Sequence, residues 1–325
     1  MGFRCWLLVI TFVLSMGFRC ELAGAHGRWQ LLQSLEAADD GVCTAVVSPQ
    51  GYECQEYEVK TQDGYILTMH RIPQGRGGGR AGKRQPVLLQ HGVLMDGLTW
   101  LLNPPQQSLA FVLADNGFDV WITHGRGTRW SRRHESLDTS DPVGHLLDIA
   151  DYEVLSRLLA YWAWSWDELA SFDLPATVGF VVRQTGQKLH YVGHSMMLGA
   201  LGVAEFDPKG YGSWNQLFGV RLRYAGVNCY DLMASFTAFR RGVITKYDHG
   251  SSAANMAAYG QSSPPEYHMS NIPHHLPLLL SYGGGDMLSD VKDVQLLLND
   301  LSNHDADKLV AQLVKEYAHL DFVMG

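Results

Sequence analysis

Leu189-His-Tyr-Val192 runs straight into Gly193-His194-Ser195 and then into Met196-Met197-Leu198-Gly199-Ala200, and the reading of this stretch decides the fold. The first four residues read as a short buried strand, and the helical run Met196 to Phe206 follows at once. A serine on so sharp a strand-to-helix turn is held with its oxygen exposed above the sheet. Pro86 to Gln90, Phe118 to Ile122 and Pro277 to Ser281 are further short apolar runs bounded by Gly or Pro, as buried parallel strands are. Between them lie helical patterns at Gln106 to Asn116, Asp167 to Gln184 and Ser289 to Leu301. Upstream, Glu56 to Lys60 and Tyr65 to Ile72 alternate in polarity around Asp63-Gly64, which predicts a β-hairpin. The alternation of strands and helices predicts an α/β chain with a mostly parallel central sheet covered on both faces, preceded by that hairpin.

If Ser195 is a nucleophile on an elbow of the α/β-hydrolase kind, an acid and a histidine must follow it in that order. Tyr282-Gly-Gly-Gly-Asp286 leaves the C-terminal end of the strand Pro277 to Ser281, so Asp286 fits the acid. Leu309 to Val314 reads as one more strand, and Tyr317-Ala-His319 after it supplies the general base. Asp290 and Asp293 are the competing carboxylates, better suited to capping a helix and favouring its dipole. In this arrangement His319 takes the proton from Ser195, Asp286 orients the imidazole, and Ser195 attacks an acyl carbonyl. The oxyanion needs two backbone N–H donors, for which Met196 after the nucleophile and Val93 in Gln90-His91-Gly92-Val93 are placed. Met197 occupies the position where the elbow pattern has its closing glycine, which allows close backbone approach. His91, His194, His274 and His275 show no metal spacing, so no metal is expected.

The run Gly77 to Lys83 imitates a phosphate loop, but Arg84 stands where Ser or Thr should be and the run precedes a strand instead of following one. The 325 residues carry 25 basic against 33 acidic side chains, a net charge of −8, which leaves no basic field for nucleic acid. Residues 1–25 read as a signal peptide: Phe3-Arg4 is followed by an apolar run from Cys5 to Phe18, and Ala23-Gly24-Ala25 offers small residues for cleavage. That run is shorter than the ~20 residues a spanning helix needs, and no later segment comes close, so no transmembrane segment is expected. Cleavage leaves Cys43, Cys54 and Cys229; Cys43 and Cys54 flank a short turn with Pro49 and Gly51 and are the favoured disulfide pair.

Cys43 to Met69, with Gly51-Tyr52 and Thr61-Gln-Asp-Gly-Tyr65, resembles the N-terminal region of the acid lipase family, which includes gastric and lysosomal lipases and plant triacylglycerol lipases. Leu89-Gln-His-Gly-Val93, Arg126-Gly127-Thr128, Trp164-Ser-Trp-Asp-Glu168, Tyr191 to Ser195, Gly283 to Asp286 and Tyr317 to Phe322 are similar to family blocks too, the plant members most of all. The resemblance implies an α/β-hydrolase that splits triacylglycerols or steryl esters at an oil–water interface, without a cofactor, through Ser195, Asp286 and His319. It also implies three parts: the signal peptide 1–25, an N-terminal lipase-associated region 26–85, and the hydrolase domain 86–325 with a cap at about 200–275. The expected location is the secretory pathway, ending outside the cell or in a vacuole- or lysosome-like compartment.

Against that family the chain is short in places. Within ten residues of Ser195 it reaches Glu205-Phe-Asp-Pro-Lys-Gly210, similar to a block from inside the family's cap. One core strand and much of the cap are therefore expected to be missing, and a second gap is expected between Phe239 and Arg240. Val143 to Tyr161 resembles nothing in the family, although Leu147, Val154, Leu155, Leu158 and Leu159 give it an amphipathic helical pattern. The chain stops soon after His319, where the family continues with a closing helix. The alternative function is accordingly a catalytically impaired splice or gene-model variant that acts at most as a lipid-binding protein.

Overall fold

The computed structural model describes residues 41–78, 82–92, 95–137, 139, 160–195, 244–286 and 289–324. The signal peptide, Val93, Met196, Met197, the part of the cap before 244, the gap at Phe239 and nearly all of Val143 to Tyr161 lie outside the described residues.

Strands β1 (Gln55–Lys60) and β2 (Tyr65–Ile72) form the expected hairpin, with Gln55 opposite Arg71 and Lys60 opposite Ile66. Its turn is closed by Thr61: the hydroxyl donates to Asp63 Oδ1 at 2.6 Å and accepts from Tyr65 N at 2.9 Å, while Gly64 takes a φ of +95°. Glycine suits that left-handed position because it carries no Cβ. Strands β3 (Pro86–Gln90), β4 (Asp119–Thr123) and β6 (His190–Gly193) complete the main sheet in the order β1-β2-β4-β3-β6, and the short β5 (Arg133–His134) pairs with β2. Both neighbours of β3 run parallel to it, whereas β2 is antiparallel to β1, β4 and β5. The sheet is thus mixed, with its parallel part under the candidate site.

Alternation along the strands splits their side chains between two cores. Val87, Leu89, Val120 and Ile122 pack on one face with Trp100, Phe111 of helix Leu109–Asp115, and Val323. Leu88 and Trp121 pack on the other with Leu67, Met69, Tyr161 and Val181 of helix Leu174–Thr185. Trp162 and Trp166 are buried as well, so these tryptophans are core and not a lipid-facing surface. The long helical pattern expected from Asp167 onward is present in three pieces: Trp166–Glu168 with a capping box from Ser165, a π-helical stretch Leu169–Asp173, and Leu174–Thr185 with Pro175 in its first turn. Proline is tolerated there because the first N–H groups of a helix have no intrahelical partner.

Arg126, in one of the motif blocks, fastens these layers together. Its buried guanidinium donates to Asp63 Oδ2 at 2.7 Å in the hairpin turn and to Asp173 Oδ1 at 2.6 Å at the start of helix Leu174–Thr185, and it lies 3.8 Å from the centre of the Tyr65 ring. A planar fork with five donors can make two bonds to each of two carboxylates at once, more than the three donors of lysine allow.

Strands β7 (Ile244–Thr245) and β8 (Glu266–Tyr267) form a short antiparallel pair, and β9 (Leu278–Gly283) and β10 (Leu309–Val314) pair in parallel with each other but with no strand of the main sheet among the described residues. Apolar residues of β9 and β10 form a third core with helix Val291–Asp300, around Leu280, Leu297 and Leu301. Among the described residues β6 is hydrogen-bonded to β3 alone, and the opposed pair Leu279 and Val310 is 57% and 56% exposed; the stretch in which a core strand is expected to be missing lies outside the described residues. No helix among the described residues is long and apolar enough to cross a membrane.

Candidate active site

The catalytic candidates come from three strand exits. Ser195 follows β6 with a φ of +60°, the one non-glycine residue among those described with a positive φ. A left-handed backbone at a residue with a Cβ is strained and persists when its surroundings impose it, which is what an elbow requires. The loop leaving β3 presses on that turn: a Cβ on Gly92 would lie 2.8 Å from Ser195 Cβ and 3.1 Å from the His194 carbonyl oxygen. The family position where glycine permits close approach is 197, outside the described residues, yet Gly92 shows the same need from the facing side.

Asp286 follows β9 through three glycines, and His319 follows β10. The two exits are clamped backbone to backbone: Gly284 N donates to Val314 O at 3.0 Å and Gly285 N to Tyr317 O at 2.9 Å. A Cβ on Gly283 would lie 2.1 Å from the Tyr317 carbonyl oxygen, so side-chain-free residues let the loops touch. The result is a line of three groups. His319 Nδ1 is 2.8 Å from Asp286 Oδ2, and His319 Nε2 is 2.8 Å from Ser195 Oγ. With the carboxylate ionised, Nδ1–H donates to Asp286, which leaves Nε2 to accept the Ser195 hydroxyl proton. The buried Asp286 accepts a second bond at Oδ1 from Ser289 N at 2.9 Å, and Ser195 is open to solvent. Asp290 instead caps helix Val291–Asp300, accepting from Lys292 N and Asp293 N, and Asp293 lies in its first turn.

Val93 and Met196, the two oxyanion donors expected from the sequence, lie outside the described residues. The flank of that loop is described: His91 Nε2 accepts from Gly125 N at 2.8 Å, so its Nδ1–H donates to Gly92 O at 2.7 Å. His91 is therefore a neutral strut between the exits of β3 and β4. Cys43 and Cys54 are joined by a disulfide. Among the described residues no group of three His, Cys, Asp or Glu could hold a metal ion.

A model of a partial α/β-hydrolase lipase region matches residues 43–104. Over 98% of this chain and 91% of its own length, triacylglycerol lipase 2 of Arabidopsis thaliana is 38% identical. The chain belongs to the acid lipase family. Gastric triacylglycerol lipase of Rattus norvegicus is 30% identical over 98% of this chain and 95% of its own, and lipase member K of Homo sapiens 29% identical over 99% and 93%. Like them the protein is a carboxylic ester hydrolase with an α/β-hydrolase fold. The match to the Arabidopsis lipase runs over 401 aligned positions against 325 residues here, so at least 76 of those positions face gaps in this lipase.

Three buried histidines are expected to make this lipase less stable in acid. Burial pushes the pKa of His91 and His194 below the ordinary histidine value of 6.5 and that of His124 well below it, with the neighbouring imidazoles of His70 and His91 adding to burial at His124. In the unfolded chain all three protonate near 6.5, so below that pH the unfolded state binds more protons and stability falls as pH falls. Each contributes up to about 1.4 kcal/mol per pH unit. The melting temperature is expected to fall steadily from pH 7 to pH 5; a flat profile across that window contradicts the neutral assignment.

Proposed function

We propose that this chain is a serine lipase of the secretory pathway, with Ser195 as nucleophile, His319 as general base and Asp286 as its orienting acid. The observation that carries this reading is His319 at 2.8 Å from both partners, one bond on each ring nitrogen. Ser195 gives its proton to His319 Nε2 and attacks the acyl carbonyl, while Asp286 stabilises the imidazolium. Backbone N–H groups of Val93 and Met196 take the oxyanion, His319 returns the proton to the departing alkoxide, and water then releases the fatty acid from Ser195. Lipid esters as substrate class follow from the relatives named as triacylglycerol lipases, and an oil–water interface as the place of reaction from the same kinship. Residues 1–25 are read as the signal peptide, 26–85 as the lipase-associated region and 86–325 as the catalytic domain. The disulfide between Cys43 and Cys54 fits an oxidising compartment, outside the cell or vacuole- or lysosome-like.

A second reading is favoured by the edge of β6 that pairs with no strand among the described residues and by the exposed Leu279 and Val310: a catalytically impaired variant that adheres to lipid without turning it over. Hydrolysis of p-nitrophenyl butyrate and p-nitrophenyl palmitate by the purified chain separates the two. The proposed lipase turns over both esters; a soluble, cooperatively melting protein that binds palmitate vesicles and cleaves neither supports the second reading.

A further inference from the structure

His194, the residue before the nucleophile, is tied to the residue that activates the nucleophile. Its Nε2 lies 2.8 Å from the carbonyl oxygen of His319, across 125 positions of sequence. A carbonyl accepts and does not donate, so Nε2 carries the proton and the neutral ring leaves Nδ1 bare; that atom is buried and has no hydrogen-bond partner among the described residues. The two rings lie 4.9 Å apart, centre to centre. Elsewhere, strand-to-strand hydrogen bonds join neighbouring strand exits, but β6 and the β9–β10 pair share none among the described residues. The other ties near His319 are more remote: Asn103 Nδ2 donates to Val323 O at 3.3 Å, and Val323 packs in the first core.

We propose that His194 is a positioning residue that holds the His319 backbone against the elbow, so that Nε2 of His319 stays within reach of Ser195 Oγ, a contact that no strand pairing among the described residues holds. The inference rests on the triad reading above. Three groups bear on His194 besides Ser195: His319 next to it, Asp286 beyond that ring and His91 on the facing loop. Burial first of all keeps it neutral, with repulsion from His319 or His91 whenever either takes up a proton, against the opposing pull of the His319 carbonyl and Asp286. A neutral donor suits the site, since a cation there would face the imidazolium that His319 becomes during turnover.

The test compares His194→Leu, His194→Gln and His194→Asn with the unaltered chain. Glutamine carries a donor to about the place of Nε2; leucine has none, and asparagine stops short. Displacement of a reacting group by about 1 Å costs on the order of 100-fold in rate. The Leu and Asn variants are therefore expected to lose ~100-fold in kcat with KM unchanged, and the Gln variant to recover most of it. A second readout does not need turnover: the low-field proton resonance of the His319–Asp286 hydrogen bond should persist in the parent and the Gln variant and vanish in the Asn and Leu variants. Folded Leu and Asn variants with parental kcat and an unchanged resonance overturn the proposal, as does a Gln variant no better than Asn. If Leu fails to fold, Gln against Asn decides. Should the parent itself cleave no ester, the triad reading falls and the resonance comparison still tests His194.

Discussion

Ser195→Ala is expected to lower ester hydrolysis by about 10⁶-fold in kcat, with a melting temperature within a degree or two of the parent. The magnitude follows from what the hydroxyl does. Without it no acyl intermediate forms, and His319 and Asp286 have no proton to move; knocking out the nucleophile of a triad costs about as much as removing the whole set. The small effect on stability follows from exposure: Ser195 is open to solvent and its hydroxyl bonds to His319 alone among the described residues. The strained backbone is retained, because alanine at φ +60° is no easier than serine. Turnover of p-nitrophenyl butyrate by the Ala variant at the parental rate would place the activity elsewhere on the chain.

Gly283→Ala is expected to cost about 10⁴-fold in kcat, on the scale of a triad deprived of its acid. Gly283 has no side chain to offer the site; its part is to let two loops meet. Its new Cβ would stand 2.1 Å from the Tyr317 carbonyl oxygen, a backbone atom that cannot swing aside as a side chain can. One of the two loops has to move, and they are the loops that deliver Asp286 and His319. The neighbouring bonds Gly284 N to Val314 O and Gly285 N to Tyr317 O would be strained at the same time. Asp286 and His319 then part, and the imidazole loses the bond that selects its tautomer. Kinetics on the folded variant check this; an Ala variant within tenfold of the parent would mean that the clamp between the two strand exits yields without cost.

Much of this site is legible from local pattern. A strand ending in Gly-His-Ser, a strand ending in three glycines and an aspartate, and a strand followed by a histidine each announce themselves, because strand exits carry short apolar runs and turn residues. What the sequence does not display is contact between distant loops. Nothing about Gly92 or Gly283 as single letters says that one faces the Ser195 Cβ and the other a carbonyl of the His319 loop. Arg126 stands in a recognisable block, but its two carboxylate partners lie in the hairpin turn and at a helix start, at separations no periodicity encodes. His194 is one of many histidines in the chain until the fold brings its Nε2 to the His319 carbonyl. The π-helical stretch Leu169–Asp173 was likewise hidden inside an ordinary helical pattern.

The central claim is that Ser195, His319 and Asp286 work as one unit although the strands that deliver them belong to two separate sheets among the described residues. A fluorophosphonate probe reads this directly, since it reacts with a serine whose proton a neighbouring base removes. Native protein and protein unfolded in urea are treated alike, and the labelled residue is mapped by peptide mass spectrometry. The account predicts labelling at Ser195 in the native sample, approaching one probe per chain, and none after unfolding. A soluble, cooperatively melting native protein that stays unlabelled at Ser195 would contradict it.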